Sequence, residues 1–277
     1  MATIVEMINP LTGLPEQVDK LDHTAQEIDD AVGLAPQLSN PNLLDNWYFG
    51  NPVNQRNVSG TIDAVGYFLD RWKLVSGSVT IGSNGITLNG TIAQILETAV
   101  GTDVTASALT TEGVVVASYD NNSKTISLTG TGQTFVAAKL ELGSQQTLAH
   151  QDADGNWVLN EIPNYGEQLR RCQRYFMRIG VPAAQENGAI GFANCANTTL
   201  ANTCINTPVT MRAIPSATLK NIVLRKGITD FSVTACNIFS ITGNGIYMSF
   251  TSSGLTAGNT LLIRTVTGGY IDFNADL

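Results

Sequence analysis

The chain has 277 residues, which is enough for two domains that each bury a core. Only 14% of the residues are charged, against about 25% in ordinary globular proteins, and Thr, Ser, Asn and Gly replace them. That composition is typical of turn-rich β-structure. The net charge of −8 argues against nucleic acid and anionic membrane surfaces as partners. The nearly neutral surface suits sugars or a multi-subunit assembly.

The sequence carries no recognisable targeting or metal-binding signal. The first residues lack the basic and apolar regions of a secretory signal, and no apolar run approaches the roughly 20 residues of a membrane span. The four cysteines form no C-x-x-C pair and match no zinc pattern. We expect free thiols made in a reducing cytoplasm, although Cys195 and Cys204 could meet across a hairpin.

Residues 1–40 are predicted to be an anchor and oligomerisation segment. Leu14–Val32 has helix-favouring residues at both ends, with Pro15 at the start and Gly33 just past the end. Its apolar residues repeat at alternating spacings of three and four, which is a coiled-coil pattern. The interpretation we favour is self-association into a short parallel bundle, and the alternative is packing on the chain's own β-domain. The apolar stripe consists of Val18, Leu21, Ala25, Ile28 and Val32.

Residues 41–144 are predicted to be a first antiparallel β-sandwich, of jelly-roll type. Short alternating segments are separated by turn signals, including Asn84-Gly85 and the stretch from Asp120 to Ser123. Residues 179–277 show the same pattern and predict a second sandwich. Asn244-Gly245 and Gly268-Gly269 are its expected turns, and prolines at 208 and 215 suggest an edge strand between them.

Residues 145–178 are predicted to be a hairpin followed by a linker helix. Asp154-Gly155 marks the hairpin turn. Asp152, Asp154 and Asn156 suggest a calcium loop, but the EF-hand pattern fails because its glycine and distal glutamate are missing.

The segment from Ile162 to Arg178 has one apolar helical face. Its four arginines allow two interpretations, a strut between the sandwiches or a docking surface for acidic groups. The apolar face contains Tyr165, Leu169, Cys172 and Phe176, and the arginines are Arg170, Arg171, Arg174 and Arg178.

No catalytic, cofactor or metal site is predicted. Neither histidine, His23 or His150, lies in a nucleophile motif, and no phosphate- or dinucleotide-binding loop occurs. The carboxylates that a glycosidase would need fall in turn-rich segments, where solvated surface acids are expected. They are Glu97, Asp103, Glu112 and Asp120.

Aromatic side chains are the remaining route to a ligand, since the apolar face of a sugar packs on a flat ring. Trp157, Tyr247 and Tyr270 flank glycine or asparagine turns and are the candidate binding residues. Trp47 and Trp72 are expected to pack in a core instead.

Six motifs in order resemble the receptor-binding and fibre-type tail proteins of bacteriophages and prophages. They are NPNLLDNWYF, NQR, DRW, KLELGS, YGEQLRRCQRYF and PVTMRAIP, and they cover residues 41 to 215. The resemblance implies a carbohydrate-module-like jelly roll, a helix leading into a C-terminal β-module, and a homotrimer. It also implies that the N-terminus contacts other virion proteins.

The expectation is therefore a non-enzymatic virion protein that binds host-surface glycan. The alternatives are a structural head-fibre, collar or baseplate protein and, less in keeping with the sequence, a polysaccharide depolymerase.

Overall fold

The computed structural model describes residues 4–8, 15–19, 39–180 and 187–277. Strands dominate these residues, and the paired strands run antiparallel, so the prediction of a mainly β protein is confirmed. Within the described ranges there is a single short helix.

The N-terminal prediction is wrong where the structure describes it. Strand β1 (Ile4–Ile8) pairs antiparallel with strand β2 (Pro15–Asp19), so Val18 lies in a strand and not on a helix. The spacing of three between Pro15 and Val18 fits a helix, and pairing with β1 overrides that local pattern. The other residues of the apolar stripe, Leu21, Ala25, Ile28 and Val32, lie outside the described residues.

The first large sheet has eight strands between residues 60 and 142. Its order is β3-β5-β6-β10-β7-β8, with β4 paired to the start of β5 and β9 paired to the start of β10. The strands are β3 (Gly60–Ile62), β4 (Gly66–Leu69), β5 (Trp72–Gly82), β6 (Gly85–Ile95), β7 (Val104–Thr110), β8 (Gly113–Val116), β9 (Ser118–Asp120) and β10 (Thr125–Leu142).

Strand β10 bends this sheet around its core. Its first half pairs with β6 up to Phe135, and its second half pairs with β7, with register shifts at residues 131–133 and 135–137. Such bulges bend a strand and increase its twist. The largest core side chains are those of Trp47, Phe49, Phe68, Trp72, Leu74, Ile86, Leu88, Ile92, Leu128 and Phe135.

A hairpin and the helix connect the two large sheets. Strands β11 (Ala149–Gln151) and β12 (Trp157–Leu159) flank the predicted Asp154-Gly155 turn. Helix α1 (Tyr165–Gln173) starts at Asn164, whose side chain accepts the Glu167 N–H at 3.1 Å. The helix is shorter than predicted, because Phe176 and Arg178 belong to strand β13 (Phe176–Gly180).

The second large sheet has the order β17-β16-β20-β14-β15-β19-β18, with β13 paired to β20. It curls so that β16 lies against β18. The strands after β13 are β14 (Asn187–Cys195), β15 (Leu200–Asn206), β16 (Ser216–Lys226), β17 (Thr229–Ser232), β18 (Ala235–Thr242), β19 (Gly245–Thr251) and β20 (Thr260–Asn274).

Two local predictions for this sheet are wrong. Gly268 and Gly269 lie inside β20 and not in a turn, within four residues, 266 to 269, that face the single residue Asn221 of β16 at a register shift. The segment from 208 to 215 forms no strand and connects β15 to β16. The core is built from Met177, Ala193, Ile222, Leu224, Ile246, Met248, Phe250, Leu261, Ile263, Ile271 and Phe273.

Candidate functional site

The NQR and DRW motifs lie where the two large sheets join. The Arg56 guanidinium is ion-paired with Asp276 and stacks 3.8 Å from the centre of the Phe176 ring. Gln55 donates its backbone N–H to the Asp70 carboxylate at 2.7 Å and its side-chain N–H to the Phe176 carbonyl at 2.8 Å. These motif residues therefore attach the first sheet to β13 and to the last residues of the chain.

Two carboxyl groups at this junction resist ionisation. Asp70 is fully buried, and desolvation raises its pKa to about 7, against the lowering effect of the hydrogen bond from Gln55. Desolvation also raises the pKa of Asp276, although Arg56 opposes the shift. The junction thus carries a titratable group with a pKa near neutral pH.

The four arginines between residues 162 and 178 are mostly used within the chain. Arg170 is exposed, and each of the other three pairs with a carboxylate of a neighbouring element. This supports the strut interpretation over a docking surface for acidic groups. The pairs are Arg171–Asp45 at 2.7 Å, Arg174–Glu97 at 3.2 Å and Arg178–Asp272 at 2.6 Å.

The KLELGS motif also has a structural role. The Lys139 ammonium is fully buried, 3.7 Å from Glu141 and 3.5 Å from Glu161. It donates to the Thr147 hydroxyl at 3.0 Å and to Ser39 at 2.6 Å. A buried charge needs such partners, so this cluster fixes the end of β10 to the segment that follows it.

Of the three aromatic candidates, Tyr270 is the least accessible. Its ring is half-buried on β20, with the Arg178 guanidinium 3.8 Å from the ring centre on β13 and the Lys220 ammonium 5.5 Å away on β16. Because Arg178 is itself paired with Asp272, the ring belongs to a packed cluster. Little of its face is left for a ligand.

Trp157 lies at the edge of an open groove of about 720 Å³ between the β11–β12 hairpin and the β7–β8 turn. Its side chain is 37% exposed. The indole edge packs on Gly113, where an added Cβ would approach Nε1 to 2.8 Å. Glu112 and Ile162 line the same groove, so the site mixes charged and apolar groups.

Tyr247 is the candidate whose ring lies open on a sheet face. It is 42% exposed on β19 and packs against Phe239 of β18, itself 48% exposed, with ring centres 5.0 Å apart. Phe239 occupies a bulge, since Ile238 pairs with Met248 while Ser240 pairs with Tyr247. The bulge places a second ring beside the first on the outer face.

A row of polar side chains runs beside this aromatic pair on the outer face. Each of the four strands contributes one residue at the same level. Asn194 of β14 pairs with Asn202 of β15, Asn202 also pairs with Ser249 of β19, and Ser249 also pairs with Asn237 of β18. Ser249 is buried, whereas Asn194 and Asn237 are exposed. Among the described residues, none of these four side chains makes a hydrogen bond within the chain, so the exposed amides are free to bond to water or to a ligand.

The strands that carry this face are free of charge. No Asp, Glu, Lys, Arg or His occurs between Asn187 and Met211, or between Phe231 and Ile263. On β14, Phe192 lies two residues from Asn194, which puts it on the same face, and it is 68% exposed. We call the outer face of β14, β15, β19 and β18 the aromatic–amide face.

Two of the carboxylates considered for glycoside hydrolysis, Glu97 and Asp120, are held by neighbours within the chain. Glu97 is paired with Arg174, and Asp120 is fixed in a turn by Ser123 and Asn122, whose hydrogen bonds lower its pKa. Asp152 accepts the N–H groups of Asp154 and Asn156, as a turn requires. The described part of the chain contains no group of three or more His, Cys, Asp or Glu residues placed to hold a metal ion.

Sequence reasoning named Tyr247 as a candidate but did not name the residues around it. Phe239, Phe192 and the asparagine row give no motif, and strand register brings them together. The available signal was the long charge-free stretch, in which Asn202, Cys204 and Asn206 alternate with buried residues. The same alternation places Cys195 on the inner face and Cys204 on the outer face, so these two thiols do not pair.

No protein-family model, curated protein or solved structure matches the chain. No helix in the described residues has both the length and the apolar character needed to cross a bilayer.

Proposed function

We propose that the chain is a non-enzymatic, fibre-type phage virion protein that binds neutral glycan on the host surface through the aromatic–amide face. The observation that carries the proposal is the combination of exposed aromatic rings, asparagines without internal partners and absent charge on one sheet face. In this proposal the two curled sheets are jelly-roll-like sandwiches, the assembled protein is a homotrimer, and the N-terminus contacts other virion proteins.

The chemistry of the face suits a neutral sugar. One side of a pyranose ring is rich in C–H groups and packs on Tyr247 or Phe239, as aromatic platforms do in ligand sites. Its hydroxyl groups need both donors and acceptors, which an asparagine side chain offers together. A face without cations gives no compensation for burying an ionised group.

The motif series supports the architecture and not the ligand. Arg56, Asp70, Lys139 and Phe176 serve the junction or the cores, so a resemblance based on those motifs concerns how the modules are held. No residue of the proposed binding face belongs to one of the six motifs, although β14 and β15 lie between the fifth and the sixth of them.

A glycan array tests the proposal. We expect the full-length protein to bind neutral bacterial surface glycans, and Tyr247→Ala to weaken that binding by about tenfold, since loss of one aromatic stacking contact costs about 1 kcal/mol or more. Trp157→Ala is the matched control, because it removes an exposed aromatic ring elsewhere and leaves this face intact. Its binding should equal that of the unaltered protein.

Three results would count against the proposal. Absence of binding to every printed glycan would favour a structural virion component. Binding that survives Tyr247→Ala and is lost in Trp157→Ala would move the site to the Trp157 groove. Release of reducing ends from the printed glycans would show an enzyme.

A further inference from the structure

We infer that the aromatic–amide face binds an extended neutral glycan chain laid across the strands, and not a single terminal sugar. This inference rests on the proposed function and specifies its ligand. The observation behind it is the register of the polar row, in which each of four neighbouring strands places one small polar side chain at the same level.

The row is continuous because the pairings are direct. Asn202 is the Cα partner of both Asn194 and Ser249, and Ser249 is the partner of both Asn202 and Asn237. Thr260 of β20 extends the row beyond Asn194. Neighbouring strands lie about 4.8 Å apart, so four strands span about 14 Å. That distance exceeds the width of one pyranose ring.

A second row, of rings, runs parallel to the first. Phe192 and Tyr247 each lie two residues along the strand from a member of the polar row, a rise of about 7 Å. Phe239 joins Tyr247 at the far end. A sugar chain lying across the strands can therefore rest its C–H faces on the rings while its hydroxyl groups reach the asparagines.

The charge distribution excludes anionic chains. The cation nearest to the face along the register is Arg264 of β20, opposite Ala189 of β14, and the next is Arg225 of β16. Arg264 is buried and lies 3.4 Å from Asp230, which also holds both arms of the Arg225 guanidinium, at 2.6 and 2.7 Å. A uronic acid or phosphate on the face would lose water without gaining a free cation.

Cys204 provides a built-in reporter of occupancy. It is exposed and lies directly opposite Tyr247 in the register, whereas Cys172 and Cys195 are buried and Cys236 is half-buried. A chain across the rings covers the Cys204 thiol. We therefore expect a bound chain to slow alkylation of Cys204 by a maleimide, which mass spectrometry of the peptide measures.

The experiment uses the full-length protein and an array of bacterial glycans printed as oligomers of one to six units, some neutral and some containing uronic acid. We expect binding to neutral oligomers only, with affinity rising about tenfold between one and three units as successive contacts are made. Asn237→Ala, at one end of the row, should weaken binding of oligomers of three or more units several-fold and leave single sugars unaffected. Asn122→Ala, which changes an exposed asparagine in the turn between β9 and β10, is the control.

The outcomes separate the two proposals. If single sugars bind as tightly as hexamers, if uronic acid oligomers bind as well as neutral ones, or if Cys204 stays reactive in the complex, the extended-chain inference is overturned while glycan binding stands. If nothing binds, the proposed function falls and the inference with it.

Discussion

The outer faces of the two large sheets use their polar side chains differently. On the first sheet, threonines of neighbouring strands bond to one another across the surface. On the second sheet, the asparagine row makes no such bonds among the described residues. Similar curled sheets therefore carry one polar face that is satisfied internally and one that is open to a partner. The threonine pairs are Thr61–Thr80 at 2.8 Å, Thr87–Thr134 at 2.9 Å and Thr91–Thr129 at 3.0 Å.

The motif residues of this protein serve packing, and the candidate binding face is formed by residues outside the motifs. Motif residues such as Arg71 and Trp72 are fully buried, and Arg71 stacks 3.5 Å from the centre of the Tyr175 ring. Residues that serve packing are strongly constrained by their surroundings, whereas a binding face needs side chains that packing leaves unused. Charge-free strands with outward asparagines meet that condition here.

The largest expected effect tests the packing role of the motif residues. Trp72 is fully buried, and its indole N–H donates to the Asn46 carbonyl at 2.9 Å. Trp72→Ala should lower the free energy of unfolding by about 3–5 kcal/mol, because it removes a large core side chain and leaves a cavity. Urea titration followed by circular dichroism measures the change.

The matched variant is Trp157→Ala, which removes the same side chain from a partly exposed site. We expect a loss of about 1 kcal/mol or less. Equal losses for the two tryptophans would mean that the first core does not depend on the DRW motif as the structure indicates.

The next effect concerns the junction and its pH dependence. The pKa of Asp70 is raised from 3.8 to about 7 by burial, so folding opposes its ionisation. The unfolded chain releases this proton more readily, and the stability contribution present at low pH is lost as pH rises from about 4 to 7. Asp276 shifts in the same direction. Stability should fall by a few kcal/mol across that window, measured by urea titration at several pH values.

Asp70→Asn is the diagnostic variant, since it keeps an acceptor for the Gln55 N–H and removes the ionisation. Its stability should change less between pH 5 and pH 8 than that of the unaltered protein. Arg225 lowers the pKa of Asp230. That carboxyl therefore titrates below pH 4 and does not change the stability between pH 5 and pH 8. A pH slope retained in full by Asp70→Asn would assign it to another group.

The sequence predicted the β class and several turns, because two-residue alternation and turn residues are local signals. The N-terminal segment shows the limit of this reasoning. Pro15 to Asp19 fits a helical heptad, yet it forms a strand because it pairs with Ile4–Ile8. Phe176 likewise fits the helical face of α1 but is drawn into β13 by its pairing with Asn274.

The candidate site was predictable only in part, for a similar reason. Tyr247 and Tyr270 carry the same local signal, an aromatic residue near a glycine. Tyr270 faces Arg178 and Lys220 across the sheet, whereas Tyr247 faces Phe239 and open surface. Those neighbours come from strand order, which places β18 beside β19 and β13 beside β20, and no local pattern encodes that order.

The smallest expected effect is the difference in cross-strand hydrogen bonding between the two faces. Thr91 and Thr129 share a hydrogen bond at 3.0 Å on the first sheet, while Asn194 and Asn202 lie opposite each other on the second without one. Double-mutant cycles to alanine should give a coupling of about 0.5 kcal/mol for the threonine pair, within the range of cross-strand pairs. The asparagine pair should give a coupling close to zero.

A coupling between Asn194 and Asn202 as large as that of the threonines would mean that the amides bond to each other in solution. The face would then be as satisfied as the first one, and its polar row would offer a ligand no free donors. Repeating the asparagine cycle on glycan affinity sharpens the distinction. If both side chains contact one extended chain, coupling that is absent from stability should appear in binding, because losing one contact loosens the chain over the other.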